Sequence, residues 1–374
     1  MKLLFLINSL EGGGAERVIS TLSHYFVLEK KYQVAIVTLH KANAQYDLPP
    51  SVSVQSPKSG VFCVGLGKIL FIPLVALEFS QILRKEKPDG VISFLPRSNF
   101  VHLMTRWLGN KSKIVLSERA DTKAVYASKS LPDRAMRTLI RLSYPLADSI
   151  IAISEGVKNS LVGLGVPTEK ITVIYNPQQI EYIKLKSRES ADALEPGKCV
   201  TLITIGRLVY QKDHQTLLEA FKKIRAAMDA RLIIIGEGPY EARLKKRAET
   251  LGIAEWVSWL PWQSNPFAIL ARANLFLFTS RFEGFGNVLI EAMVCGLPIV
   301  STDCPSGPRE ILKDGEYGVL VSIGDSTAIA QAAIRLLKNK QLYEKMRQGG
   351  FERAQDFDVH SIAPQYLNVL GLRE

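Results

Sequence analysis

The sequence predicts an α/β protein of two doubly wound domains, each a parallel β-sheet with helices on both faces. Its 374 residues exceed the size at which one hydrophobic core usually stops growing. Hydrophobic residues make up 47% of the chain and charged residues 22%, as in globular proteins with buried sheets. Short apolar runs alternate with longer helical patterns, which is the pattern of βαβ units.

The first series of elements occupies residues 1–180 and predicts an N-terminal domain. Its strands are expected at residues 3–7, 33–39, 90–94, 113–116, 149–153 and 171–174. Helices are expected from Ala15, over 75–87 and over 155–164. The apolar start, residues 1–7, is short and has no cleavage site after it, so it favours a buried strand over a signal peptide.

The second series, residues 199–356, predicts a C-terminal domain of the same kind. Its strands are expected at 199–205, 231–235, 256–259, 275–279, 298–301 and 318–321, and its helices at 215–228, 240–251, 266–272 and from Asn287. Residues 181–198 are charged and predict a linker, while 357–374 contain a closing helical pattern. We expect the domains to face a central cleft, with ligands beyond the carboxyl ends of the strands.

The basic residues are concentrated in the first half of the chain. Of the net charge of +11, residues 1–190 hold 25 basic and 15 acidic residues, whereas the remainder holds 22 and 21. This asymmetry indicates an anionic partner, either nucleic acid or an acidic lipid surface, with a solvated basic face as the alternative. The four cysteines form no C-x-x-C pair, which indicates neither a zinc site nor disulfides and suits the cytoplasm.

A glycine-rich turn, Gly12-Gly13-Gly14, follows the first strand. Glycines let the backbone approach a ligand, and the helix that follows offers free N–H groups to a phosphate. The G-x-G-x-x-G fingerprint is not met, because Arg17 stands at the third glycine position, so no nicotinamide cofactor is expected. Tight packing of the turn is the alternative explanation.

Two cations, Arg207 and Lys212, follow the strand at 199–205. They are placed to clamp a diphosphate, Arg207 in bidentate fashion and Lys212 as a point charge. Solvated surface cations are the alternative for this segment taken alone.

The most specific pattern is a pair of glutamates eight residues apart, Glu283 and Glu291. We expect Glu283 on a loop and Glu291 about one turn inside a helix, so that the pair grips two parts of one ligand. Backbone N–H groups around Gly286 and Val288 are expected to face phosphates without a metal ion. Glu291 lies in an apolar stretch, which argues against a solvated helix face.

Together these residues resemble the retaining nucleotide-sugar glycosyltransferases of family 4, which have the two-domain GT-B fold. The resemblance covers essentially the whole chain, and it includes residues 236–239 and 301–310 besides the patterns above. It implies that Arg207 and Lys212 bind the donor diphosphate, that Glu291 binds the ribose, and that Glu283 contacts the transferred sugar. It also implies that the last helix crosses back onto the first domain.

The implied catalytic residues are Glu283, Arg207 and Lys212. The implied donor-binding residues are Gly13, Gly14, Arg207, Lys212, Gly238, Leu260, Pro261, Glu283, Gly284, Phe285, Gly286, Asn287, Val288 and Glu291.

A narrower resemblance is to the bacterial transferases that build lipid-linked oligosaccharides, among them N-acetylgalactosaminyl transferases. It implies retaining transfer of a hexose or N-acetylhexosamine, with N-acetylgalactosamine favoured, from a UDP-sugar to a polyprenyl-diphosphate-linked glycan, without a metal or other cofactor. That subgroup often has Glu-His after the strand at 113–116, where this sequence has Glu118-Arg119. The role of the His is therefore lost or passes to Arg119, and we expect Arg97, Glu118 and Arg119 on the acceptor side.

Residues 61–83 are expected to lie on the inner face of the cytoplasmic membrane. Lys68, Pro73 and Glu78 interrupt this apolar stretch, so it is too short to span a bilayer. Neighbouring cations would meet anionic headgroups; they are Arg84, Lys85, Lys87, Arg97, Arg106, Lys111 and Lys113. A buried helix of the first domain is the alternative.

Other functions stay open. A transferase with a soluble, lipopolysaccharide or capsule acceptor, a nucleotide-sugar epimerase and a donor-sensing protein would share the donor site. A nucleic-acid-binding protein fits the charge, but no recognisable module or aromatic stacking pattern is present, so no nucleic-acid partner is expected. Asp356-Phe357-Asp358 matches the metal-binding D-x-D in form, but aspartates are ordinary before a helix, so no metal site is expected there.

Overall fold

The computed structural model describes residues 1–40, 46–58, 72–190 and 199–372, which form two compact units. One unit consists of Met1–Gln178 together with Val359–Glu374, and the other of Gln179–Asp358. Each unit is built on one parallel sheet with helices around it, which confirms the predicted α/β class.

In the part of the chain that is described, the first unit contains seven strands and seven α-helices. The strands are β1 (Lys2–Ile7), β2 (Gln33–Thr38), β3 (Ser53–Gln55), β4 (Gly90–Phe94), β5 (Val115–Glu118), β6 (Ser149–Ala152) and β7 (Ile171–Val173). The helices, numbered along the chain, are α1 (Gly14–His24), α2 (Ile72–Glu86), α3 (Pro96–Met104), α4 (Thr122–Val125), α5 (Leu131–Ser143), α6 (Glu155–Val162) and α15 (Val359–Leu370). The strand order is β3-β2-β1-β4-β5-β6-β7, and all pairs are parallel.

The core of the first unit includes the final helix. Phe5 of β1 and Phe94 of β4 meet edge to face with ring centroids 5.7 Å apart, and Tyr366 of α15 is buried in the same cluster. Gly90 lets α15 approach β4, because a Cβ at Gly90 would lie 2.8 Å from the Leu370 side chain. The last helix is thus part of the packing of the first sheet.

Over its described residues, 179–190 and 199–358, the second unit contains six parallel strands in the order β10-β9-β8-β11-β12-β13. They are β8 (Val200–Ile205), β9 (Ala230–Ile235), β10 (Val257–Leu260), β11 (Leu275–Phe278), β12 (Ile299–Thr302) and β13 (Val319–Val321). Its helices are α7 (Ile180–Ser187), α8 (His214–Ala227), α9 (Glu241–Leu251), α10 (Phe267–Leu270), α11 (Asn287–Val294), α12 (Pro308–Ile311), α13 (Ser326–Lys338) and α14 (Lys340–Ala354). Buried side chains of β8, β9, α8 and α13 form its main core.

Some elements differ from the sequence prediction. Residues 181–190, predicted to be linker, contain most of α7, which packs on α10, with the rings of Tyr182 and Phe267 6.5 Å apart. Residues 191–198 of the predicted linker lie outside the described residues. The sequence did not predict β3, which has two exposed residues and so no apolar run, nor α3, α4, α5, α12, α13 and α14.

The segment at 61–83 is described only from Ile72, since residues 61–71 lie outside the described residues. The described part belongs to α2, in which Val75 and Phe79 are buried while Leu74 and Leu77 are exposed. No described helix is long and apolar enough to cross a membrane.

Candidate functional site

The carboxyl edge of the second sheet has a switch point between β8 and β11. The chain passes from β8 outward to β9 and β10 on one side, and through β11 outward to β12 and β13 on the other. Loops after β8 and β11 therefore diverge and leave a crevice, which is where doubly wound sheets bind ligands. The two cations and the paired glutamates follow these two strands.

The loop after β8 is held against the loop after β9 by glycine. Gly236 has φ +144°, and a Cβ on it would lie 2.2 Å from the carbonyl oxygen of Gly206. A Cβ on Gly238 would lie 2.5 Å from the carbonyl oxygen of Leu208. Side chains at either position would force the backbones apart, so both glycines shape the floor of the crevice.

Lys212 is positioned by a strained neighbour. Asp213 adopts φ +47°, accepts hydrogen bonds from the backbone N–H and hydroxyl of Thr216, and so caps α8. Its carboxylate also pairs with Arg281 at 2.8 Å, which links the loops after β8 and β11. These contacts offset the backbone strain and fix the direction in which Lys212 leaves the loop.

The fold brings Lys212 and Glu283 into a partly buried ion pair. Lys212 Nζ lies 2.5 Å from Glu283 Oε1, which also accepts a hydrogen bond of 2.7 Å from the Ser280 hydroxyl. Gln211 Nε2 donates to the other carboxylate oxygen at 3.4 Å. Glu283 is buried, and these neighbours surround its carboxyl group with fixed hydrogen-bond donors. The cation and the carboxylate thus form one preorganised unit.

The loop carrying Glu283 ends at the start of α11. Gly286 has φ +113° and occupies the N-cap position, where no side chain caps the helix. The loop after β12 presses on it, because Gly307 has φ +94° and a Cβ there would lie 1.7 Å from the Phe285 carbonyl oxygen. First-turn N–H groups of a helix have no intrahelical partner and carry partial positive charge, so this end of α11 favours anions.

Glu291 lies one turn inside α11, as its spacing predicts, and it is buried with 1% of its surface exposed. Burial, with the Glu291 carboxylate nearby, raises the pKa of the Cys295 thiol well above its usual range, so this cysteine stays neutral.

Arg207 is exposed at the mouth of the loop after β8. Leu260 is the last residue of β10 and Pro261 follows it; the Leu260 carbonyl accepts from the N–H of Gly236 at 2.9 Å.

Three contributors to this arrangement were missed from the sequence, namely Gln211, Ser280 and Arg281. Ser280 is a polar residue three positions before Glu283 and directly follows the predicted strand, so its position was the available signal. Gln211 and Arg281 gave none, since their roles depend on contacts between two distant loops.

The first unit has the same kind of switch point, between β1 and β4. Gly13 is the N-cap of α1, and Gly14 is the first residue of that helix and is exposed. After β4, Leu95 adopts φ +76° and ψ +151°, a conformation that side chains rarely occupy and that is concentrated at functional sites. The hydroxyl of Ser98 donates to Asn8 Oδ1 at 2.9 Å, which connects the two loops.

Glu118, predicted on the acceptor side, lies in a buried network. Tyr144 donates to Glu118 Oε2 at 2.7 Å, and Asn99 donates to the Tyr144 hydroxyl at 3.0 Å. Burial raises the pKa of Glu118 from 4.5 to about 7, although Tyr144 and the N–H of Arg119 oppose the shift. Burial also raises the pKa of the Tyr144 phenol well above its usual range, so it remains a donor.

Arg119 is also buried, with 8% of its surface exposed. Its guanidinium donates to Asn176 Oδ1 at 2.7 Å and to the Tyr366 hydroxyl at 3.4 Å, and it lies 4.9 Å from the Phe94 ring centre. Arg119 therefore connects the end of β5 with α15. Arg97, in the first turn of α3, is half-buried.

In the D-x-D segment, the Phe357 ring packs edge to face on Phe285 with centroids 5.7 Å apart. Asp356 pairs with Arg353 at 2.6 Å on the surface, and Asp358 precedes α15. Within the described ranges, no three His, Cys, Asp or Glu side chains are grouped to hold a metal ion.

Comparison with known proteins gives the family to which a chain with this fold and crevice belongs. Residues 12–181 match the family model described as Glycosyltransferase Family 4, and residues 186–353 match that described as Glycosyl transferases group 1. A relative from Campylobacter jejuni is 32% identical over 374 residues, covering 99% of each chain. Its name is N-acetylgalactosamine-N,N'-diacetylbacillosaminyl-diphospho-undecaprenol 4-alpha-N-acetylgalactosaminyltransferase. The chain belongs to the family 4 glycosyltransferases.

A second Campylobacter jejuni relative, an alpha-1,4-N-acetyl-D-galactosaminyltransferase named for a diphospho-undecaprenol-linked glycan, is 26% identical and covers 99% of this chain and 98% of its own. Among solved structures, Anabaena HepE in complex with UDP and glucose superposes with a TM-score of 0.79 at 22% identity, covering 99% of each chain. Sucrose-phosphate synthase from Thermosynechococcus elongatus gives 0.83 at 18% identity, covering 99% of this chain and 98% of that one. These neighbours confirm the predicted GT-B fold.

Proposed function

We propose that this glycosyltransferase moves N-acetylgalactosamine from a UDP-sugar onto a polyprenyl-diphosphate-linked glycan, with retention of configuration and without a metal ion. The observation that carries the proposal is the 32% identity, over 99% of both chains, with a Campylobacter jejuni transferase whose name states this sugar and a diphospho-undecaprenol acceptor. The partly buried ion pair of Lys212 and Glu283, at the crevice of the second sheet, supports the donor side.

The donor diphosphate would bind the loops after β8 and β11. Arg207 is exposed and available to fork two phosphate oxygens, while Lys212, already ordered by Glu283, supplies a second positive charge. The first turn of α11 adds N–H dipoles. These groups stabilise the charge that develops on the leaving nucleotide, which is the main task when a glycosyl–phosphate bond breaks.

Glu283 is assigned to the transferred sugar and Glu291 to the ribose. Glu283 Oε1 already accepts bonds from Lys212 and Ser280, so it suits holding a hydroxyl better than forming a covalent intermediate. The acceptor oxygen attacks the anomeric carbon on the face from which the diphosphate departs, and its proton passes to the leaving phosphate. Glu118, Arg119 and Arg97 are proposed to act on the acceptor side.

The protein is also proposed to work on the inner face of the cytoplasmic membrane, where its acceptor would be anchored. The excess of positive charge in residues 1–190 supports this location.

The test is a transfer assay with purified protein and a panel of UDP-sugars. We expect N-acetylgalactosamine to be transferred to an undecaprenyl-diphosphate-linked glycan, and the product linkage to be α by NMR. Transfer only to a soluble, lipopolysaccharide or capsule acceptor would contradict the lipid-linked assignment. Conversion of the UDP-sugar to an isomer without acceptor would indicate an epimerase instead.

A further inference from the structure

Helix α5 of the first unit carries an apolar stripe on its exposed side. Successive members are spaced by three or four residues, so they lie along one face and continue one turn past the helix. The members are Leu131, Ala135, Leu139, Leu142 and Leu146. Leu131, Leu142 and Leu146 have 80%, 68% and 53% of their surface exposed.

The buried side of α5 lies opposite the stripe. Ile140, half a turn around the helix from the leucines, is fully buried and is the one buried residue of α5. The helix is well defined, because Ser130 caps it by accepting from the N–H of Asp133, and Arg137 donates to the carbonyl of Ser128. The leucines are thus held on the outside by an ordered helix. Single exposed leucines need no explanation, but a contiguous row of them marks an interaction surface.

The charges around the stripe are positive. Residues 123–146 contain five basic side chains and a single acidic one, Asp133. The Asp133 carboxylate is engaged within the chain, where it accepts a hydrogen bond from the N–H of Ser128 at 3.1 Å. Arg134 and Arg141 are exposed and lie two helical turns apart along one border of the stripe. Leucines on one face with arginines at the border are the pattern of a helix that lies in a membrane interface.

We propose that α5 lies in the headgroup region of an anionic bilayer, with its leucine stripe in the acyl boundary and its arginines against lipid phosphates. Thirteen residues span about 20 Å, so the helix lies along the surface instead of crossing. This docking surface differs from the segment at 61–83, and it rests on the proposed function for its choice of a membrane-borne acceptor. A second copy of the chain fits less well, because pairing two such faces would bring the arginine borders together.

The test measures sedimentation of purified full-length protein with vesicles of phosphatidylglycerol and phosphatidylcholine. The double variant Leu131→Gln, Leu142→Gln should reduce the partition coefficient at least about tenfold, since two leucines no longer enter the acyl boundary. The control is Leu28→Gln with Leu185→Gln, at positions 52% and 62% exposed elsewhere, which should bind like the unmodified protein. Equal binding of all three proteins would overturn the proposal.

The charge is tested separately. Arg134→Gln with Arg141→Gln should weaken binding at low salt to phosphatidylglycerol-containing vesicles, but not the residual binding to pure phosphatidylcholine. Lys222→Gln with Lys246→Gln removes the same charge from exposed positions of the second unit and should have no effect. A dimer in analytical ultracentrifugation that the leucine variants dissociate would instead identify a second copy as the occupant and refute membrane docking.

Thermal stabilisation by UDP, measured on the same variants, reports on the donor site. It therefore helps to distinguish a failure of the docking surface from a failure of the proposed function. Vesicle binding that depends on α5, in a protein that transfers no sugar to a lipid-linked acceptor, would uphold the docking surface and refute the function. Transfer to that acceptor in detergent, with vesicle binding unaffected by the leucine changes, would uphold the proposed function and refute the docking surface.

Discussion

Replacing Gly307 by alanine should damage the donor crevice without touching any ligand-binding side chain. The added Cβ would lie 1.7 Å from the carbonyl oxygen of Phe285 and 2.4 Å from its carbonyl carbon, and neither backbone atom can rotate away. Gly307 combines φ +94° with ψ −68°, a conformation that costs an alanine about 1–3 kcal/mol, and the overlap costs about 1–3 kcal/mol more, so the expected destabilisation is about 2–6 kcal/mol. Because Phe285 belongs to the loop that carries Glu283, UDP affinity should fall by about tenfold or more, the effect of losing one contact to a charged group.

Gly315→Ala is the matched control. Gly315 has φ +97°, close to that of Gly307, but a Cβ there meets no heavy atom within 4 Å. The free energy of unfolding of this variant should fall by only about 1–2 kcal/mol, because of backbone strain, and its UDP affinity should not change. Three of the four tryptophans lie in the second unit, at residues 256, 259 and 262, so urea unfolding followed by fluorescence reports mainly on that unit. Equal destabilisation of the two variants, with unchanged UDP binding by calorimetry, would refute the argument that Gly307 supports the loop.

Three further predictions concern the site residues and the reaction. Lys212→Ala and Glu291→Ala should each weaken UDP binding by about 1.5–3 kcal/mol, whereas Glu283→Gln should lower kcat more than UDP affinity; calorimetry and kinetics that show equal losses would contradict this division. Transfer should continue in EDTA and give an α-linked product, and activity restored only by Mn²⁺ or a β-linked product would contradict it. The raised pKa of Glu118 means that the folded protein keeps a proton that the unfolded chain loses, so this residue's contribution to stability is complete below about pH 4.5 and is lost as pH rises to about 7. Glu118→Gln should therefore flatten the fall in stability over that range in urea unfolding, by up to about 3 kcal/mol, whereas the exposed Glu255→Gln should not.

The elements of the fold that were predicted correctly are mostly those with a local sequence pattern. Buried parallel strands such as β1, β8 and β11 form continuous apolar runs, so periodicity locates them within one or two residues. The helix start at Asn287 followed from the glycine before it. In contrast, β3 has one half-buried and two exposed residues, and α5 buries one side chain, so neither carries the pattern that burial produces.

The sequence predicted the parts of the site that depend on the spacing of residues along the chain. It did not predict the contacts between residues that are far apart in the sequence. Eight-residue spacing placed Glu283 on the loop and Glu291 inside α11. The direct pairing of Lys212 with Glu283 joins residues 71 positions apart and needed the strand order, which sequence spacing does not contain. The same is true of Arg119, whose partner Tyr366 is 247 residues away.

The place of α15 in the first unit has a consequence for how the chain folds during synthesis. Its side chains fill the core beside α1 and β4, yet they leave the ribosome after all 180 residues of the second unit. The second unit can fold as soon as it emerges, whereas the first must keep part of its apolar surface exposed until α15 has been synthesised. A fragment that ends at Gln178 would consequently be prone to aggregation, although it contains all seven described strands of its sheet.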